Sequence, residues 1–88
     1  MGTPSLTGAQ IRAARALLNW SAADLARQSA LGVNTIRRAE VAQDATSLTA
    51  ANQMAIRRAF EAAGVEFIDE NGTGEGVRFH KPRHTRRK

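Results

Sequence analysis

Three times within its first 36 residues the chain repeats one pattern: an apolar residue, a helix-capping residue, then a second apolar residue five positions after the first. The three copies are Leu6-Thr7 with Ile11, Trp20-Ser21 with Leu25, and Leu31-Gly32 with Ile36. A capping side chain satisfies a backbone N–H that the first helical turn leaves without a partner, and the two flanking apolar residues staple the entering chain to the helix. Gln10 and Asp24, three residues after Thr7 and Ser21, complete capping boxes. Gly32 is a weaker cap, because it has no side-chain acceptor. Three helix starts are thereby marked.

The spacing predicts helices over about Gly8 to Leu18, Ala22 to Ser29, and Val33 to about Val41. Ile11, Ala14 and Leu18 line the buried face of the first; Ala22, Leu25, Ala26 and Ser29 that of the second; Ile36 and Ala39 that of the third. A polar link over residues 42–47 precedes a fourth helix starting at Thr49 or Ser47, with Ile56, Ala59, Phe60 and Ala63 on its buried stripe and Gly64 ending it. The following VEFIDENGTGEGVRF holds two short β-branched or aromatic runs around a glycine-rich segment, which reads as a β-hairpin over residues 65–79. Its loop is either two residues at Asn71-Gly72 or longer. The expected organisation is a flexible N-terminus over residues 1–6, a helical domain over 7–64, the hairpin, and a basic disordered tail over 80–88.

Eighty-eight residues, 42% of them apolar, make one small domain. With no cysteine, disulfides, thiolate metal sites and thiol nucleophiles are excluded, and a reducing cytoplasm fits. No apolar run approaches the roughly 18 residues of a membrane span, and MGTPSLT lacks the basic and apolar regions of a signal peptide. His80 and His84 stand four apart, but Pro82 between them and the lack of further ligands argue against a metal. No acid, base and nucleophile constellation is visible, so neither an enzyme nor a cofactor is expected.

Charge is unevenly placed. Residues 1–79 carry eight Arg against eight Asp or Glu, so the net charge of +5 resides in Lys81, Arg83, Arg86, Arg87 and Lys88. Such a tail favours a polyanion such as DNA. Arg12, Arg57 and Arg58 read as surface charges. Two charges stand on apolar stripes instead: Arg15 between Ile11 and Leu18, and Glu40 four residues after Ile36. A lone buried charge is costly, so these two are expected to pair.

Ser21, Leu25-Ala26, the break Ala30-Leu31-Gly32, Thr35-Ile36, Arg38 and Glu40, preceded by Arg15, together resemble the Cro and phage-repressor type of helix-turn-helix regulator, the XRE family. The resemblance covers about residues 7–64. It implies a mainly α, compact four-helix, lambda-repressor-like domain, here followed by the hairpin and tail, whose third helix enters the major groove of double-stranded DNA. An Arg of helix one paired to a Glu ending the recognition helix is a feature of many members, matching Arg15 and Glu40. The chain departs from the pattern at Ala22, where many members carry a DNA-contacting Gln, at Ala30, where the turn often has Gly, and at Gly32, where Ser or Thr commonly caps. The hairpin also replaces the usual fifth helix.

With Ile36 and Ala39 facing inward, Val33, Asn34, Arg37 and Arg38 are left as base contacts. Asn can bond bidentately to an adenine edge, Arg to a guanine edge, and Val can meet a thymine methyl. Of the adjacent arginines one is expected to read a base and the other to hold a phosphate, with Arg38, one turn after Asn34, the first choice for the base. Phosphate contacts are assigned to Thr35, Arg83, Arg86, Arg87 and Lys88. The expected function is a sequence-specific transcriptional regulator of the repressor kind, with homodimerisation through the exposed hairpin edge. The alternatives are an antitoxin or adaptor whose hairpin and tail bind a partner protein, and non-specific nucleic-acid binding by the tail alone.

Overall fold

The computed structural model describes residues 6–41 and 48–80. Expectations for residues 1–5, the link 42–47 and the tail 81–88, including Ser47, Arg83, His84, Arg86, Arg87 and Lys88, lie outside the described residues. The described elements are α1 (Gly8–Leu18), α2 (Ala22–Ser29), α3 (Val33–Val41), α4 (Ala50–Ala62), β1 (Val65–Ile68) and β2 (Gly76–Phe79). The fold is mainly helical with a C-terminal antiparallel hairpin, as expected.

Local chemistry starts each helix where the sequence marks it. Thr7 and Ser21 accept from the N–H groups of Gln10 and Asp24, whose side chains return to the cap N–H groups. Thr49 caps α4 by accepting from the Asn52 N–H. The Ile36 N–H donates to the Gly32 carbonyl, so α3 starts after a cap with no side chain to help. At their far ends, α1 and α2 turn through left-handed residues, Asn19 at φ 59° and Ala30 at φ 61°. The Trp20 and Leu31 N–H groups then reach back to the carbonyls of Arg15 and Ala26. Helix α4 stops one residue before Ala63, so Ala63 is an exposed C-cap and not part of the buried stripe.

Leu6, Ile11, Ala14, Leu25, Ile36, Ala39, Ile56, Phe60 and Val65 are wholly buried in one cluster that joins all four helices to the hairpin. Both partners of the first staple, Leu6 and Ile11, belong to it. Trp20 stacks on Phe60 with ring centroids 5.5 Å apart, and Phe67 meets Phe60 edge-on at 5.7 Å. Arg57 departs from its reading as a surface charge, because its guanidinium lies over the Phe67 ring, 5.2 Å from the centroid, and its side chain is only 18% exposed. Stacked there, the cation covers aromatic surface that α4 and β1 leave open.

The strands pair Val65 with Phe79, Glu66 with Arg78, Phe67 with Val77 and Ile68 with Gly76. This register resolves the loop as the longer alternative, residues 69–75, with Asn71-Gly72 inside it. The Glu70 carboxylate accepts from the N–H groups of Gly72 and Gly74 and organises that loop from within. A slip of one residue would turn Val65, Phe67 and Val77 away from the core they pack against, so burial fixes the register. Gln10 ties the loop end of the hairpin to α1, its Nε2 donating to the carbonyls of Ile68 (3.3 Å) and Gly76 (3.1 Å). The hairpin rests on α1 and α4, whereas α3 rests on α1 and α2. No described helix is long and apolar enough to cross a membrane.

Candidate nucleic-acid interface

Helix α3 turns about 100° per residue. Ile36, Ala39 and Glu40 are its buried residues, which sets its inward side. The opposite side carries Asn34, Arg38 and Val41, with Arg37 on one flank and Thr35 on the other. Asn34, Arg37, Arg38 and Val41 are exposed and Thr35 is half-buried. The structure therefore brings Asn34 and Arg38 onto one outward stripe. Val33 does not join them: it is half-buried and packs against the core, so its side chain is committed to holding the start of α3. Val41 was missed by the sequence reading, though it is 75% exposed on the Asn34 and Arg38 side. Its position seven residues after Asn34 was the available signal.

Arg37 and Arg38 form no ion pair among the described residues, so their charge faces outward without a described carboxylate to neutralise it. Arg38 and Thr35 line a shallow groove of about 200 Å³ together with Leu48, Thr49 and Asn52 at the start of α4. The stripe thus offers an amide that both donates and accepts, beside a guanidinium fork of donors, which is the donor and acceptor set that base edges and phosphates engage.

What holds this stripe in place is the other end of α3. Arg15 Nε and Nη2 donate to the two Glu40 carboxylate oxygens at 2.6 and 2.9 Å, and Arg15 Nη1 donates to the Trp20 carbonyl at 2.9 Å. The pair is mostly buried, with 22% of the Arg15 and 9% of the Glu40 side chain exposed. The hydrogen bonds that Arg15 donates to Glu40, opposed by partial burial, hold its guanidinium above the usual arginine range, so it stays charged. Arg12 is exposed, as read from sequence, and also donates from Nη1 to the Glu40 main-chain carbonyl. Two arginines one turn apart on α1 therefore hold both the side chain and the backbone of the same α3 residue.

At the hairpin base, His80 Nδ1 lies 2.9 Å from Glu66 Oε1, and Arg78 Nε donates to Glu66 Oε2 at 2.5 Å. His80 is thus engaged across the strands, and no group of three or more metal-binding side chains occurs among the described residues. No family model and no curated protein matches the chain.

Proposed function

We propose that the chain is a sequence-specific double-stranded DNA-binding regulator of transcription, of the repressor kind, reading the major groove with α3 through a helix-turn-helix formed by α2, the Ala30–Gly32 break and α3. The observation that carries this reading is the outward stripe of Asn34 and Arg38, flanked by Arg37, on a helix whose inner end is locked to α1 by Arg15 and Glu40. Base readout needs side chains presented on a rigid element, because a displacement of about half an ångström already spoils a bidentate contact. Asn34 and Arg38 take base edges, and Arg37 and Thr35 take phosphates on either flank. This is also the arrangement that the resemblance to the Cro and phage-repressor family implies. The tail cations add attraction for the backbone that does not depend on base sequence.

Selection of binding sites from random duplexes tests the reading, repeated with Asn34→Ala and Arg38→Ala. Each substitution is expected to relax the preference at one or two base positions, by about 1 to 3 kcal/mol for a bidentate contact. Unchanged preferred bases in both variants remove α3 as the reader.

Two copies pair through the hairpin in this proposal. The His80 N–H donates to the Gly64 carbonyl at 2.6 Å, which makes this facing pair a hydrogen-bonded one. By strict alternation, the N–H and C=O groups of Val77 and Phe79 then point outward from β2. Phe79 is 56% exposed beside that edge, an apolar surface that a symmetry mate covers. Sedimentation that finds only monomer at high concentration removes the pairing.

The adaptor or antitoxin alternative is favoured by one observation, the exposed acidic loop carrying Asp69, Glu70 and Glu75 on a hairpin that rests on α1 and α4. Removing the hairpin is no test of it, because Val65 and Phe67 belong to the packing around Phe60. Charge reversal at Asp69 and Glu75 is the cleaner probe: a protein partner lost with DNA binding intact supports the alternative.

A further inference from the structure

We propose that Asn71 is a self-modification site, independent of the role given to α3: its side-chain amide is lost to attack by the Gly72 backbone nitrogen, with Glu70 as general base and Thr73 as oxyanion donor. The parts of that constellation meet in the loop between β1 and β2. Nucleophile and base are within hydrogen-bond reach, since the Gly72 N–H donates to Glu70 Oε2 at 2.9 Å. The electrophile is the carbonyl carbon of the Asn71 side chain. Its oxygen, Oδ1, accepts from the Thr73 hydroxyl at 2.8 Å and from the Thr73 N–H at 3.4 Å. Both donors thus face the atom on which negative charge develops during attack. The longer contact also closes an Asx turn, which holds the side-chain carbonyl forward over residue 72. Gly72 brings no Cβ to crowd its own nitrogen.

The Gly72 nitrogen bonds to the Asn71 side-chain carbonyl carbon and closes a five-membered ring, while its proton passes to Glu70. The tetrahedral oxyanion then collapses, the bond from carbon to the amide NH2 breaks, and that group takes the proton from Glu70 and leaves as ammonia. Water opens the ring imide at either carbonyl, which gives aspartate or isoaspartate at position 71. Nothing is oxidised or reduced. Asn19, Asn34 and Asn52 precede the larger Trp20, Thr35 and Gln53, and the latter two asparagines lie within α3 and α4, so they are spared. The product adds a negative charge to the loop that already carries Asp69, Glu70 and Glu75, the surface that the adaptor alternative gives to a protein partner.

The test incubates the whole protein at neutral pH, folded and in denaturing urea, and follows by peptide mass spectrometry the exchange of NH2 for OH at position 71. Folded wild type is expected to react at least about tenfold faster than unfolded wild type, a discounted share of what a placed base and an oxyanion donor contribute in enclosed sites. Glu70→Gln keeps an acceptor for the Gly72 N–H but removes the base, and Thr73→Val removes the hydroxyl. Each is expected to slow the folded reaction by about fivefold or more, with Thr73→Ser within about twofold of wild type and all unfolded rates alike. Folded wild type reacting no faster than unfolded overturns the proposal, and this arm decides by itself should a variant lose its fold. Equal folded rates in wild type, Glu70→Gln and Thr73→Val also overturn it. A faster reaction in folded Glu70→Gln overturns it too, and makes Glu70 a guard that ties up the Gly72 N–H.

Discussion

Arg15 and Glu40 face each other across the α1 and α3 contact through two parallel hydrogen bonds of 2.6 and 2.9 Å, with the carboxylate almost wholly buried. Removing one partner of such a pair strands the other charge away from water, at about 3 to 5 kcal/mol. In Arg15→Ala the stranded charge is Glu40, whose side chain is 9% exposed, so the lower end of that range is a minimum. At about 4 to 8 °C per kcal/mol for a domain of this size, Arg15→Ala should melt more than about 10 °C below wild type. The double variant Arg15→Met with Glu40→Met should recover most of that loss, because neither charge is then stranded. A shift of a degree or two in the single variant, read by circular dichroism, would show the charge reaching water after all.

That pair was legible in the sequence because both charges stand on apolar stripes of helical spacing, and stripes are a local property. The helix starts at Thr7 and Ser21 were legible for the same reason, since a cap and its partner lie within three residues, whereas the start of α4 stayed open between Ser47 and Thr49 until the Asn52 N–H was seen to donate to Thr49. The contacts that escaped are those whose partners are remote. Gln10 looks like an ordinary capping-box residue, and its carbonyl partners on the hairpin lie 58 and 66 residues away. Arg12 reaches 28 residues to α3. The choice between Val33 and Val41 as the exposed valine also needed the tertiary packing around α3.

Ala30 occupies the left-handed region at φ 61° and ψ 33°, where its Cβ crowds the following carbonyl. Glycine enters that region without the clash but loses more freedom on folding. The first effect is about 1 to 2 kcal/mol and the second about 0.5 to 1, so Ala30→Gly should stabilise by roughly 0.5 to 1 kcal/mol. Asn19→Gly should do less, because asparagine tolerates the same conformation, at φ 59°. Equal or lower urea midpoints in Ala30→Gly would mean that the turn relaxes in solution.

Asp24 sits well placed at the start of α2, its carboxylate accepting from the Ser21 N–H at 2.8 Å and pairing with Arg27. The hydrogen bond at Ser21, then that from Arg27, hold its carboxyl below the usual aspartate range. A carboxylate depressed on folding stabilises above its unfolded value and loses that contribution as pH falls through the folded one. The urea midpoint of wild type should therefore drop as pH falls through the usual aspartate range and below it. Asp24→Asn should start lower at neutral pH, and the gap between the two should close in acid. A gap of constant size across that range contradicts the assignment.

Gln10 offers a sharper test of how α1 holds the hairpin. Glutamate and glutamine usually serve equally as the third residue of a capping box, since either oxygen can accept from the cap N–H. Here the Oε1 atom does accept from the Thr7 N–H at 3.1 Å, but Nε2 donates at the same time to the carbonyls of Ile68 and Gly76. Gln10→Glu therefore keeps the cap and turns a buried donor into a carboxylate oxygen facing two acceptors. The residue is only 4% exposed, so water offers little relief. Leaving buried polar groups unsatisfied costs about 1 to 3 kcal/mol, and more when one of them is charged. Gln10→Glu should thus lose more stability at neutral pH than Gln10→Ala, the reverse of their order in an isolated helix. Acid should restore Gln10→Glu in part, since protonation of Glu raised by burial regains a donor for one of the carbonyls. Equal urea midpoints for Gln10→Glu and wild type at neutral pH would show that the hairpin is held by Val65, Phe67 and Val77 alone, without α1 donating to its loop end.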